Sequence, residues 1–276
     1  MARRQVAQTA FGAATMRAIE GSTPADMRLF DDRLVGRLLT GAPALIAHRA
    51  AVRAAFRAMM ERLAPGFFGG VVCRTRAIDD ASSEALASGT RQVVILGAGL
   101  DTRPYRMEPV RHAEVWELDL PAVQDAKKAA VARTLGALPD NVRYLPVDLA
   151  AGTAGNLLYR NGFDRNRRAL VVWEAVSQYL CRPAVDAVLQ FAGTLAPGST
   201  LAFTYLTPAA FVDARQARRR GWTTGFPPDG LKAELSAYGL SLSADLGADE
   251  YQQRYLEPLR RNLTVFPIER LAVATT

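Results

Sequence analysis

Histidine, cysteine and lysine are all scarce in this chain, and each scarcity removes a class of function. Cys73 and Cys181 are the two cysteines. They lie far apart without His or Cys neighbours at ligand spacing, so neither a disulfide framework nor a zinc site is indicated, and no metal is expected. His48 and His112 are the two histidines; one falls in an N-terminal helical stretch and the other just ahead of a strand, which leaves an expected cleft without an obvious base. No apolar run reaches the roughly 18 residues of a membrane span. The opening Met1-Ala-Arg-Arg-Gln-Val6 lacks the apolar core of a signal peptide. No membrane partner is expected, and a cytoplasmic location is the default.

Acidic residues are outnumbered, 27 against 34 basic, for a net charge of +7 and a pI near 9.8. That balance invites a nucleic-acid partner, because clustered cations neutralise phosphates. Its make-up argues against one. Lys127, Lys128 and Lys232 are the only lysines, and the densest run, Arg215-Gln-Ala-Arg-Arg-Arg220, is short and has no interleaved aromatics. A solvated helix face is the preferred reading of that run.

What the chain does have is a core: 49% of its 276 residues are hydrophobic and 22% charged, the balance of a soluble globular protein. It is organised around Arg91-Gln-Val-Val-Ile-Leu-Gly-Ala-Gly-Leu-Asp101. The apolar run Val93 to Leu96 predicts a strand covered on both faces, and Gly97 and Gly99 let the chain turn sharply and approach a ligand. The pattern departs from the dinucleotide fingerprint. Thr102 stands where a third glycine would fall, and Asp101 would repel a pyrophosphate.

Ahead of this stretch, residues 5–20, 29–40, 44–63 and 71–87 carry helical patterns. Leu45, Val52, Phe56, Met59 and Leu63 share one face of the third, which predicts core packing. From residue 91 strands and helices alternate, with strands at 91–96, 113–118, 142–147, 169–173 and 200–206 and helices at 121–135 and 183–195. The expected fold is α/β, a doubly wound, mostly parallel sheet. One domain over 1–276 is expected: a helical cap (1–90), a cofactor-binding core (91–206), and a lid with closing strands (207–276). An acceptor pocket is expected between the cap and the 207–260 segment, which contains Phe211, Trp222, Phe226 and Tyr251.

Parallel sheets of this kind bind ligands beyond the carboxyl ends of their strands. Each of the first four strand ends carries an acid: Asp101, the Glu117/Asp119 pair, Asp148 and Glu174. Asp119 falls 20 residues beyond Gly99, where an acid reaches ribose hydroxyls. A row of acids suits a ligand with hydroxyls, an amine and a cation but no phosphate. S-adenosylmethionine is such a ligand.

Val93 to Arg103 with its Gly-Ala-Gly-Leu-Asp-Thr-Arg core, Glu117-Leu-Asp119, Val147-Asp-Leu149 and Trp173-Glu-Ala-Val-Ser-Gln-Tyr-Leu180 together resemble the S-adenosylmethionine-dependent leucine carboxyl methyltransferase family. The bacterial branch that includes polyketide O-methyltransferases is the most similar. Gln8-Thr-Ala10, Arg28 to Asp32 and Arg74 to Asp80 are similar to that branch's N-terminal signatures, so the resemblance covers most of the chain. It implies a class I, Rossmann-like methyltransferase fold. It implies that Arg74 or Arg76 binds the cofactor's methionine carboxylate and that Gly97, Ala98 and Gly99, with Asp101, form the loop beneath it. Asp119 and Leu120 would take the ribose, and Asp148 with Leu149 the adenine. Glu174 would face the ammonium or sulfonium, and Tyr179 would line the acceptor pocket; these two are the candidate catalytic residues. Arg103 would brace the loop through Asp101.

Methyl transfer is an in-line displacement that needs alignment and desolvation more than a base. Scarce histidine therefore favours an acceptor already anionic, a small-molecule carboxylate, with a hydroxyl as the second choice. An NAD(P) oxidoreductase, a nucleic-acid methyltransferase and a cofactor-binding scaffold without turnover are the competing classes. Residues 5–40 can serve a homodimer or cover the acceptor site, and the sequence leaves both open.

Overall fold

The computed structural model describes residues 2–276, with side chains from residue 11 onward; the side chains of the Gln8-Thr-Ala10 signature lie outside the described residues. Five helices come first: α1 (Ala2–Glu20), α2 (Arg33–Leu38), α3 (Gly41–His48), α4 (Ala50–Leu63) and α5 (Phe67–Ala87). The alternating part follows: β1 (Gln92–Leu96), the short α6 (Arg103–Arg106) and α7 (Glu108–Arg111), β2 (Glu114–Asp119), α8 (Pro121–Leu135), β3 (Val142–Pro146), α9 (Ala154–Arg160), β4 (Ala169–Trp173), α10 (Arg182–Gly193) and β5 (Thr200–Leu206). The chain ends with α11 (Ala214–Arg220), α12 (Pro228–Ser236), β6 (Ser241–Leu246), α13 (Ala248–Tyr251) and β7 (Glu269–Thr275).

The seven strands lie in the order β3-β2-β1-β4-β5-β7-β6. β1 to β5 are parallel, and β7 is antiparallel to both β5 and β6. This is the expected mostly parallel, doubly wound sheet of a Rossmann-like methyltransferase fold. Strand alternation explains the continuous apolar runs. Val93 and Ile95 feed the core under α5 and α7, while Val94 and Leu96 feed the opposite core under α9, α10 and α12. A strand covered on both sides has no polar face to show.

Two expectations about the helical cap are overturned. The stretch 44–63 is broken at Arg49, whose backbone is extended, and no residue of α4 is buried. Leu45, Met59 and Leu63 are 51%, 46% and 73% exposed, so this face is not core packing; of α4, only Phe56 and Met60 rest against the core. The amphipathic pattern records a capacity to bury, and α5 already covers that side of the sheet. The helical cap does break between α4 and α5, at residues 64–66, but the next helix starts earlier than the residue 71 expected. α5 begins at Phe67 behind Gly66, and a Cβ at Gly69 would lie 2.0 Å from the Thr264 carbonyl oxygen. These glycines allow close packing of α5 against the 264–266 segment. Among the described residues no helix is long and apolar enough to cross a membrane.

Candidate functional site

β1 and β4 are neighbours, yet β1 leads outward to β2 and β4 leads the other way to β5. The crevice at such a switch point is where parallel sheets hold ligands. A cavity of about 320 Å³ opens there, at the carboxyl ends of β1 to β4, walled also by α1, α5 and α8. Of the residues singled out from sequence, Arg74, Gly97, Ala98, Gly99, Asp101, Asp119, Leu120, Asp148, Leu149, Glu174 and Tyr179 all line it.

Arg76 does not. Its Nε donates to Asp80 at 2.8 Å, its Nη1 donates to the Leu29 carbonyl at 2.7 Å, and its guanidinium sits over the Tyr255 ring. One helical residue in two faces away from a given wall, and of the pair it is Arg74 that faces the cavity. Tyr255 itself donates to Asp80 at 2.9 Å, which fixes that outward arrangement.

The glycine loop is held from several sides. Gly97 and Gly99 have φ of 67° and 42°, the left-handed region that glycine enters without strain. The space beside Gly97 is taken by protein rather than left for a ligand: a Cβ there would lie 2.3 Å from Val176 Cγ2. The Gly99 N–H donates to Asp119 at 2.6 Å, and the Leu120 N–H to its other oxygen at 2.7 Å. Burial raises the Asp119 pKa, against the opposing pull of those two amides and Lys127. Beneath the loop, Lys127 and Glu117 form a 2.7 Å ion pair, 1% and 0% exposed. The lysine also reaches the Ala98 carbonyl at 3.4 Å, and Tyr105 donates to Glu117 at 3.0 Å.

The methionine end of the expected ligand would meet an arginine-carboxylate network. Glu174 is bound by Arg74 Nε at 3.0 Å and by Arg103 Nη1 at 2.9 Å. Burial opposes its charge, but Arg103, Arg74 and Arg17 prevail and hold its carboxyl below the usual range. Arg103, 1% exposed, also donates to Asp79 at 2.7 Å and to Asp101 at 2.6 Å. Asp101 is likewise held well below the usual range: burial works against its charge and Arg103, Arg17 and Lys127 outweigh it. Arg103 therefore braces the loop through Asp101. Arg74 donates also to Glu269 at 2.6 Å.

Sequence reasoning missed Arg17. It projects from α1 into the cavity wall, donates to the Leu100 carbonyl at 2.5 Å, and its Nε is buried without a hydrogen-bond partner. The signal was present, since a lone arginine between Ala14, Met16, Ala18 and Ile19 is on a face that must be buried. The loop after β4 also adds Ala175, at φ 57°, pinned by its N–H donating to Thr204 Oγ1 at 2.7 Å.

The expected acceptor wall is corrected. Phe211, Trp222, Phe226 and Tyr251 are not among the residues lining the cavity. Phe226 packs edge-on against Phe203 and Tyr205, and Tyr251 lies in the core beside Tyr255. Val176, Tyr179 and Leu180 line the cavity instead. The 223–224 segment is sewn to them, since the hydroxyls of Thr223 and Thr224 donate to the Leu180 carbonyl at 2.7 and 2.6 Å. His48 contacts the Gly36 carbonyl and His112 pairs with Glu108 on the surface, so neither lines the cavity. Among the described residues no cluster of three or more His, Cys, Asp or Glu could hold a metal ion. The side chains of Arg215, Arg218 and Arg219 on α11 are exposed.

A candidate S-adenosyl-L-methionine-dependent methyltransferase of Mycobacteroides abscessus is 36% identical over 226 residues, covering 78% of this chain and 70% of that one. Another from Mycobacterium sp. strain KMS is 37% identical over 188 residues, 62% of this chain and 60% of the relative; the chain spans about 60% of the length of the first curated relatives it matches. The crystal structure of a candidate methyltransferase from Thermobifida fusca YX shares the fold, with a TM-score of 0.59 at 20% identity over 87% of this chain and 92% of that one. The family model described as leucine carboxyl methyltransferase matches residues 10–193, which takes in the second half of α1, Arg74, the glycine loop and all four acidic strand ends: the chain belongs to the leucine carboxyl methyltransferase family.

Proposed function

We propose that the chain is an S-adenosylmethionine-dependent methyltransferase that esterifies the carboxylate of a small-molecule acceptor. The donor set fits the cofactor. Asp119 has lone pairs left for ribose hydroxyls, Asp148 and Leu149 would flank the adenine, and Glu174 would accept from the ammonium. Arg74 and Arg17, which both line the cavity, would supply positive charge for the methionine carboxylate, in the style guanidinium groups favour. No comparable set of donors serves a pyrophosphate. When bound, S-adenosylmethionine supplies an electrophilic methyl group on a sulfonium.

One observation carries the choice of acceptor: Glu174 is clamped between Arg74 and Arg103 with its carboxyl held in the ionised form. A carboxylate stabilised this way is a poor proton acceptor. Asp119 is engaged by two amides, and the hydroxyl of Tyr179 is the remaining polar group on the acceptor wall. The residues can therefore align an acceptor and exclude water, but do not offer a base to ionise a phenol or an alcohol. An acceptor that arrives as an anion needs none. Hydroxyl methylation is the runner-up, with Tyr179 assisting.

The test is methyl transfer from trideuteromethyl-labelled S-adenosylmethionine to a panel of aryl and alkyl carboxylic acids and matched phenols, read by mass spectrometry. A base-labile labelled ester supports the proposal. A base-stable labelled ether from the phenols, with no ester, overturns it.

A further inference from the structure

A second cavity, of about 460 Å³, lies on the other side of α1, between the 22–27 loop, α4 and the 260–263 segment. Arg53 and Arg57 contribute from one wall of α4 and Arg260 from the facing segment, and no acid lines it. Arg53 donates to the Ala47 carbonyl, and Arg57 lies 4.8 Å over the Phe68 ring; no carboxylate pairs with either, or with Arg260, among the described residues. The acids nearest in the chain do not line it: Asp26, Glu61 and Glu257 are exposed and absent from its wall. Glu20 is 0% exposed and both its oxygens are taken by Arg261 at the cavity floor. Arg53, Arg57 and Arg260 thus line a space with no acid in its wall.

Arg260 adds a second, independent observation. It closes the turn after residue 256, where its N–H donates to the Glu257 carbonyl and that of Arg261 to the Leu256 carbonyl. Its φ is 51°, a conformation in which glycine is free of strain and a side chain is not. The chain accepts that strain and gains a cation on the cavity. Observed strain of this kind concentrates at ligand sites.

We propose that this cavity binds a phosphate ester with a small apolar body, at a site separate from the cofactor cavity. Three cations approaching from two walls match the several oxygens of a phosphate dianion better than the two of a carboxylate. Ile19, Met27 and Leu263 supply an apolar surface beside them. The pocket takes its charge from Arg53, Arg57 and Arg260, whereas Arg17 on the same helix faces the first cavity.

Phenyl phosphate is the probe, with inorganic phosphate and sodium chloride at equal ionic strength as controls, titrated calorimetrically and by thermal melting. Phenyl phosphate should bind the wild type and raise its Tm beyond the salt control. Arg57→Ala and Arg260→Gly should each weaken binding about tenfold or more while leaving S-adenosylhomocysteine affinity unchanged. Arg260→Gly should also melt no lower than the wild type without ligand, because glycine suits the turn; a loss of binding there cannot be a loss of folding. Equal binding to wild type and Arg260→Gly, or a Tm shift no larger than that of sodium chloride, would overturn the proposal.

Discussion

Replacing Lys127 by Met tests how the glycine loop is supported. Lys127 and Glu117 form a pair 2.7 Å apart with almost no exposure, and the remaining Glu117 oxygen accepts from Tyr105 at 3.0 Å. Even with the lysine present, burial pushes the Glu117 carboxyl up to about 7. Without it, the folded protein must bury a lone charge or bind a proton. Breaking a buried pair on one side costs about 3–5 kcal/mol. At about 2–4 °C per kcal/mol for a domain of this size, the melting temperature of Lys127→Met should fall by roughly 6–20 °C. Because the lysine also reaches the Ala98 carbonyl, cofactor affinity should fall with it. The double variant Lys127→Met with Glu117→Gln removes the stranded charge and should recover much of the loss. Denaturation of the wild type and both variants by urea and heat measures this. A single variant that melts within about 2 °C of wild type, or a double variant no more stable than the single, refutes the reasoning.

The same carboxyl makes stability depend on pH. Its folded pKa, about 7, lies above the unfolded value of about 4.3, so the folded state holds the extra proton between them. Its contribution is full below pH about 4.3 and is lost as pH rises through 7. Wild type should therefore lose stability relative to Glu117→Gln across that window, by at most about 1.4 kcal/mol per pH unit, as urea midpoints at several pH values would reveal. Asp101 and Glu174 have lowered pKa values and act in the opposite sense: their stabilisation is present above the unfolded value near 4 and is lost as pH falls below it, so Arg103→Met should flatten the acid limb of the wild-type stability profile. Ala175→Gly should stabilise by about 1 kcal/mol, because φ 57° strains any side chain; a lower melting temperature would contradict this. Gly97→Ala should destabilise by about 2–4 kcal/mol through its φ and its clash with Val176, and Val176→Ala should relieve the clash but not the φ, as paired urea titrations would show.

The parallel sheet was legible because its strands are covered on both faces and so read as unbroken apolar runs; Ala169 to Trp173 and Thr200 to Leu206 fall where the structure has β4 and β5. The acids at the strand ends were legible for the same reason, since a carboxylate that abruptly ends such a run lies where the strand leaves the sheet. What was not legible depends on partners distant in sequence. Periodicity shows that α4 has an apolar face but not whether anything covers it. The start of α5 at Phe67 rather than residue 71 was hidden because the Thr264 carbonyl that demands Gly69 is nearly 200 residues away. Arg74 and Arg76 could not be told apart until Tyr255 and Glu269 took one side each. The aromatics at 211–251 read as pocket lining because ring composition is the same in a pocket and in a core, and Phe203 and Tyr205 decide the matter for Phe226.

Calorimetric titration of S-adenosylhomocysteine against the wild type and Asp119→Ala, with NADH as a control ligand, addresses the central claim most directly. The account predicts binding in the micromolar range, about 7–8 kcal/mol, loss of that binding in the variant, and no binding of NADH. Binding of NADH in place of the sulfur ligand would contradict it and return the glycine loop to the dinucleotide class.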